Sequence, residues 1–297
     1  MNTLLFGSNN PSGAAFCKLC HGNSLEIWGR KAPIGMNNIH IYCDLSRLPV
    51  QPITPLRGIL VSFAPIWLLA AYLIHLFENQ PDSVAGLNGI IACSSSSFLT
   101  KRFAFNSKDK ALAQSLGKAH SQIKTLSRHL KIPSIVLAPT MIYGQVDDYG
   151  DKNLKKIISI MRLSPFIFLP RTSGFRQPIH ATQLACVAHR QVELIKHGQK
   201  SRSLHDVVLL GGDVTLSYKE MIMALQQELH QTDRAKYCHI LSIPDQLFLF
   251  LVAPILPFNP RLFEAILRIR SNLSGFETVH QLLGEPAQGF PVLPLAT

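Results

Sequence analysis

Strand-like and helix-like segments alternate through the first half of the chain. That alternation predicts an α/β fold on a parallel, doubly wound sheet of the Rossmann type, with a smaller C-terminal lobe. Two observations support it. Of 297 residues, 47% are apolar and only 16% are charged, the composition of a core-building chain. The first apolar segment also runs through a glycine-bearing turn straight into a helical pattern, as such sheets begin.

Taken in order, "NTLLFG" reads as a short buried strand. "PSGAAFCKLCHG" follows as a helix with Gly22 just past its end. "SLEIWGR" is a second strand, "NIHIYCDL" a third, "GILVSFAP" a fourth, "GIIACSSS" a fifth and "SIVLAPT" a sixth. A helical pattern fills 109–130. The second half is less regular: "NLKKIISIMRLSPFIFLP" suggests a helix and an apolar segment, "HATQLACVAHRQVELIKHG" a helix, and "LHDVVLLGG" a strand. "SYKEMIMALQQELHQ" reads as a helix capped by Ser217, with Glu220 completing a capping box. The division predicted is a nucleotide-binding domain over 1–145 and a mostly substrate-binding lobe over 146–297, with segments near 175–212 returning to the main domain.

The formal net charge is +11, which favours anionic partners or reflects only a basic surface. Nucleic acid is not expected, because no aromatic-plus-basic motif is present. The six cysteines form no disulfide framework and the N-terminus reads as no signal peptide, so a cytoplasmic location is expected. Residues 58–77 are apolar enough for a membrane span, but Pro65 suits a strand-to-helix junction better. The patch at 245–258 is broken by Pro254 and Pro257. In "NPRLFEAILRIRSNL", Arg261, Arg268 and Arg270 accompany apolar residues. Membrane-surface contact and an amphipathic helix inside the lobe are both open readings there, the first not favoured.

Cys17, Cys20 and His21 spell C-x-x-C-H, a haem-attachment pattern. They lie on the helix that follows "LLFGSNNPSG", on a face expected to pack against the sheet, so the prediction is ordinary core cysteines and no metal. Gly7 closes the first strand, and Gly13 lies six residues on, inside the helix. A dinucleotide pyrophosphate needs that strand–turn–helix context, because glycine allows close backbone approach and the helix N-terminus holds the phosphate charge. Ser8 and Asn10 lie in the loop; Asn10 takes the middle glycine's place, where its tolerance of unusual backbone angles is expected to preserve the turn. At the end of the second strand Arg30 and Lys31 stand where an acid would bind ribose. They suit the 2′-phosphate of NADP, with NAD as the other possibility, or are surface charge.

Through nearly its whole length the chain resembles the extended short-chain dehydrogenase/reductase superfamily, in its NAD-dependent epimerase/dehydratase branch. "GSNNPSG" stands at that family's glycine loop. "YCDL" resembles its third-strand aspartate motif, which implies that Asp44 approaches the adenine. "FAP" stands where the fourth strand meets the cofactor, implying Ala64 and Pro65. "SSSS" at 94–97 stands at the catalytic Ser/Thr, with Ser96 the best match. "APTMIYG" is similar to R-P-x-x-x-Y-G near the nicotinamide, and "FRQPIHATQLA" to R-D-x-I-H-V-x-D-x-A, implying that Arg176 holds a nucleotide-sugar phosphate.

The departures bear on mechanism. The family transfers its proton through Tyr-x-x-x-Lys on the helix after the serine strand. Here those positions fall on Leu112 and Leu116, and Ala138 replaces the arginine before Pro139. Acid–base candidates are then Tyr143, foremost, with Lys118 and His120; Tyr143 is alternatively a packing residue. The expected function is NAD(P)-dependent epimerase, dehydratase or reductase chemistry on a nucleotide sugar or similar anionic small molecule, by an atypical mechanism. The alternative is a catalytically inactive NADP-binding sensor or partner protein.

Overall fold

The computed structural model describes residues 1–20, 25–32, 38–51, 53–199 and 207–293. His21 of the C-x-x-C-H pattern, and Gly22 read as lying just past the first helix, fall outside them.

The first half begins with β1 (Thr3–Phe6), α1 (Pro11–Leu19), β2 (Leu25–Gly29) and β3 (Ile39–Tyr42). It continues with β4 (Gly58–Ser62), α2 (Ile66–Asn79), β5 (Leu87–Cys93), the short α3 (Ser97–Thr100), α4 (Ser107–Leu130) and β6 (Ser134–Pro139). All six strands predicted there form. Three two-residue strands follow, β7 (Ile142–Tyr143), β8 (Gln145–Val146) and β9 (Tyr149–Gly150). Next come α5 (Asn153–Leu163), β10 (Phe166–Pro170), β11 (Phe175–Arg176), β12 (Ile179–His180) and α6 (Ala181–Lys196). The chain then gives β13 (Val207–Gly211), β14 (Leu216–Ser217), α7 (Tyr218–Glu228), β15 (His239–Ile243), α8 (Asp245–Val252) and α9 (Pro260–Leu267). It closes with β16 (Glu277–Thr278) and α10 (Val279–Leu283).

Eight strands form one sheet in the order β16-β13-β6-β5-β4-β1-β2-β3, and every neighbouring pair is parallel. Successive side chains of a strand point to opposite faces. Leu5, Ile27 and Val61 therefore meet α1 and α6 on one face. Leu4, Phe6 and Leu60 meet α2 and α4 on the other. Both faces are covered, which is why these strands read as unbroken apolar runs. The run at 58–77 is resolved as β4 followed by α2, and Pro65 lies between them. Among the described residues no helix is long and apolar enough to cross a membrane.

Cys17 and Cys20 are buried in the α1 face of the core. Burial pushes the Cys17 thiol up to about 12 and the Cys20 thiol up to about 11, so both are neutral packing groups.

The C-terminal lobe has its own core, in which Ile158, Met161, Met221 and Ile222 of α5 and α7 pack with the parallel pair β10–β15. The capping box read from sequence forms at α7. Ser217 Oγ accepts from the Glu220 amide at 3.1 Å, and Glu220 Oε2 accepts from the Ser217 amide at 2.7 Å.

The Arg261, Arg268 and Arg270 face is used internally. Arg268 and Arg261 lie 2.9 and 3.4 Å from the Asp109 carboxylate, which Lys101 also meets at 3.0 Å. Arg270 pairs with Asp245 at 3.2 Å. The Asp109 contacts fasten α9 and the turn after it to the start of α4, and the Asp245 contact fastens that turn to the start of α8.

Candidate functional site

Strand order reverses between β1 and β4, the switch point at which open α/β sheets bind their ligands. Gly7 stands there at φ 78°, and a Cβ on it would lie 2.5 Å from the Ala64 amide nitrogen. A Cβ on Gly13 would lie 2.2 Å from the Gly7 carbonyl oxygen. Both glycines are thus demanded by close backbone approach.

Asn10 performs a different task from the one expected. Its backbone is extended, at φ −149° and ψ 165°, so no unusual angle is involved. Its Nδ2 donates to the Gly7 and Phe63 carbonyls at 2.7 and 3.2 Å, tying together the ends of β1 and β4. Its Oδ1 accepts from the Gly13 amide at 2.9 Å and caps α1. The first amides of α1 are therefore partly engaged by the chain itself, and Pro11 contributes none.

A cleft of about 730 Å³ opens over this turn. Gly7, Ser8, Asn10, Arg30, Lys31, Asp44, Ala64 and Pro65 all line it, and Gly13 packs behind the loop. Arg30 and Lys31 are exposed at its rim, and among the described residues neither forms an ion pair. The Asp44 carboxylate accepts from the Ser46 hydroxyl at 2.6 Å and the Ser46 amide at 3.0 Å. Those bonds, aided by Arg30 and Arg47, hold it below the usual carboxylate range. A glycine cradle at a helix N-terminus, with two cations at one end, fits a phosphate-bearing dinucleotide.

A second compartment of about 660 Å³ adjoins the first and shares Asn9, Asn10, Phe63, Ala64 and Pro65 with it. Its walls include Ser94, Ser95, Leu116, Tyr149, Asp151 and Lys152. Ser94 Oγ lies 2.6 Å from His120 Nε2. The His120 ring is buried, with Phe98 edge-on at 4.7 Å between centroids. Burial lowers its pKa from the ordinary value, so the ring is neutral at pH 7. With the proton on Nδ1, Nε2 accepts the Ser94 hydroxyl. Asp151 accepts from the amides of Asn153 and Leu154, both at 2.8 Å, and from Gly144 at 3.1 Å. Its pKa is nonetheless raised by burial.

Three expected site residues are placed elsewhere. Ser96 is buried at the start of α3, and the cavity is lined by Ser94 and Ser95 in its stead. Tyr143 is only 1% exposed. Its ring packs against His180 and Phe290, and its oxygen accepts from the Val292 amide at 2.8 Å. Burial pushes its hydroxyl up to about 12, the wrong direction for a proton acceptor. Arg176 is also buried. Its guanidinium donates to the carbonyls of Phe175, Ser271 and Arg268 and lies over the Tyr218 ring, so it staples backbone and has no free face for a phosphate.

The remaining acid–base candidates separate cleanly. Lys118 lies on the exposed side of α4, whereas His120 reaches the compartment through Ser94. Leu116 lines the compartment and Leu112 packs into the α2 face, so neither position offers a proton. The serine run at 94–97 does reach the compartment, through Ser94 and Ser95 and not through the expected Ser96. Nothing in "DYGDK" marked Tyr149, Asp151 and Lys152, which a short β8–β9 hairpin brings to the wall.

No protein-family model and no curated protein sequence matches the chain. Solved structures do match its fold. MoeE5 in complex with UDP-glucose and NAD is 13% identical, with 98% of this chain and 95% of that one covered at a TM-score of 0.61. A nucleoside-diphosphate-sugar epimerase from Staphylococcus aureus is 16% identical over 97% and 98% of the two chains, at 0.60. A UDP-glucuronic acid 4-epimerase from Bacillus cereus, in complex with NAD, is 13% identical over 82% and 87%, at 0.57. At these identities the likeness establishes a shared Rossmann-type architecture.

Proposed function

We propose that the protein is an NAD(P)-dependent enzyme of the epimerase, dehydratase or reductase kind, acting on a nucleotide-linked sugar. One observation carries the reading: a cleft at the sheet's switch point adjoins a compartment holding a hydrogen-bonded Ser94–His120 pair. The complexes of MoeE5 with UDP-glucose and UDP-glucuronic acid support the substrate class.

Gly7, Ser8, Asn10, Gly13, Asp44, Ala64 and Pro65 hold the dinucleotide, and Arg30 with Lys31 favours the 2′-phosphate of NADP. The nicotinamide, when bound, accepts or returns hydride at the sugar carbon. The protein must then hold the proton of the reacting hydroxyl. Ser94 Oγ accepts that proton while its own passes to His120 Nε2, and the reverse path returns it. Tyr-x-x-x-Lys is thereby replaced by a relay whose base lies one helical turn beyond Leu116. Lys152, on the wall of the second compartment, meets the substrate phosphates in place of the buried Arg176.

The test is nicotinamide absorbance during incubation with a panel of nucleotide sugars, beside cofactor titration. Ser94→Ala and His120→Asn should each lower kcat by about 10²-fold or more, as proton-transfer groups do, with NADPH affinity retained. Tight NADPH binding by wild type with no turnover across the panel would favour the inactive sensor.

A further inference from the structure

Two segments far apart in sequence each leave large apolar side chains in water. In the turn between α3 and α4, Phe103 is 83% and Phe105 is 97% exposed. On α8 and the turn after it, Phe250 is 76% and Phe258 is 88% exposed. Leu247, Phe250 and Leu251 follow helical spacing, so they share one unpartnered face of α8. The two segments are linked through α9, which follows the second and holds to the first: the Asn106 amide donates to Glu264 Oε1 at 2.6 Å, and Asp109 binds both Arg261 and Arg268. Single exposed apolar residues need no explanation, but four phenylalanines so fully exposed on two segments linked through α9 do.

The charge around this cluster is of one sign. Arg102, Lys108 and Lys110 are exposed beside Phe103 and Phe105, and among the described residues none of them forms an ion pair. The carboxylates of the same two segments, Asp109, Glu264 and Asp245, are drawn inward and paired with Arg268 or Arg270. Protruding aromatic tips ringed by unopposed cations match a bilayer's acyl boundary beneath anionic headgroups. The eight residues of α8 are too few to span, so the contact is interfacial.

We propose that this face docks the protein on the surface of a membrane containing anionic phospholipid. The docking rests on neither the sequence run at 58–77, which is strand and helix, nor Arg268 and Arg270, which are paired internally. It is also independent of the reading of the cleft.

The experiment is co-sedimentation of the full chain with vesicles of pure phosphatidylcholine and of phosphatidylcholine containing phosphatidylglycerol, at two salt concentrations. Wild type should bind the anionic vesicles, lose binding in high salt, and ignore the neutral ones. Arg102→Gln and Lys110→Gln should each weaken partition about fivefold, since one cation near an anionic surface contributes about that factor. Phe250→Asp with Phe258→Asp should abolish it while circular dichroism stays unchanged, because both side chains are already in water. Binding indifferent to lipid charge, or no binding, would overturn the proposal. So would a solution dimer that the Phe250→Asp, Phe258→Asp protein cannot form, which would assign the face to a second copy.

Discussion

Asp109→Asn is the substitution whose effect follows most directly from geometry. The carboxylate has no exposed surface and meets Lys101, Arg268 and Arg261 within 3.4 Å. Burial alone would raise its pKa, but hydrogen bonds from Lys101 and Arg268 outweigh that and hold it at about 2, against an ordinary 3.8. A depression of that size corresponds to about 2 kcal/mol of stability in favour of the ionised, folded state. The contribution is complete above the unfolded value and fades as pH falls through the folded one. Asn keeps the shape and removes the charge, so at pH 7 the variant should be less stable than wild type by about 2 kcal/mol. By pH 3 that difference should shrink to about half, and near pH 2 it should almost vanish. Urea denaturation midpoints of both proteins at pH 7, 5 and 3 measure this. An equal loss at every pH, or no loss at pH 7, would refute the reasoning.

Gly13→Ala must push its Cβ into the Gly7 carbonyl, so dinucleotide affinity should fall at least tenfold and stability by about 1–3 kcal/mol; titration and thermal melting read the two. Tyr143→Phe should leave kcat unchanged and lower stability by about 1 kcal/mol, because the half-buried Val292 amide loses its hydrogen-bond partner; a lowered kcat would restore Tyr143 to the reaction. Cys17→Ala with Cys20→Ala should fold and bind dinucleotide, losing only about 1 kcal/mol per thiol; a haem absorption band or stoichiometric zinc in wild type would contradict core cysteines. Substrate oxidation should be flat at neutral pH and fall in acid, below the ordinary imidazole value, as neutral His120 becomes protonated; a profile unchanged in His120→Asn would remove it from the relay.

The sheet was legible because both its faces are covered, which left six apolar strands with helical patterns between them. The residues expected at the cofactor line one cleft for a related reason: they cluster at strand ends, where order along the chain fixes order in space. The lining of the second compartment was harder to read. Ser94 and Ser96 are chemically identical in sequence, and only the bend after β5, where the Ser96 amide donates to the Pro139 carbonyl at 2.9 Å, decides which one faces the cavity. Arg176 has the identity of a phosphate ligand, but its burial among the carbonyls of 268–271 depends on contacts made nearly a hundred residues away. His120 becomes a partner of Ser94 only through the packing of α4 on the sheet, which spacing along the helix could not express.

The most direct test of the account is a titration of wild type and an Arg30→Gln, Lys31→Gln protein with NADPH and with NADH. The exposed cations at the cleft rim offer charge-assisted hydrogen bonds to a 2′-phosphate and none to a bare ribose hydroxyl. Wild type should bind NADPH at least about tenfold more tightly than NADH, and the double substitution should bring the two affinities together. Equal loss for both cofactors would contradict the NADP assignment, and wild type that binds neither would contradict the cleft itself.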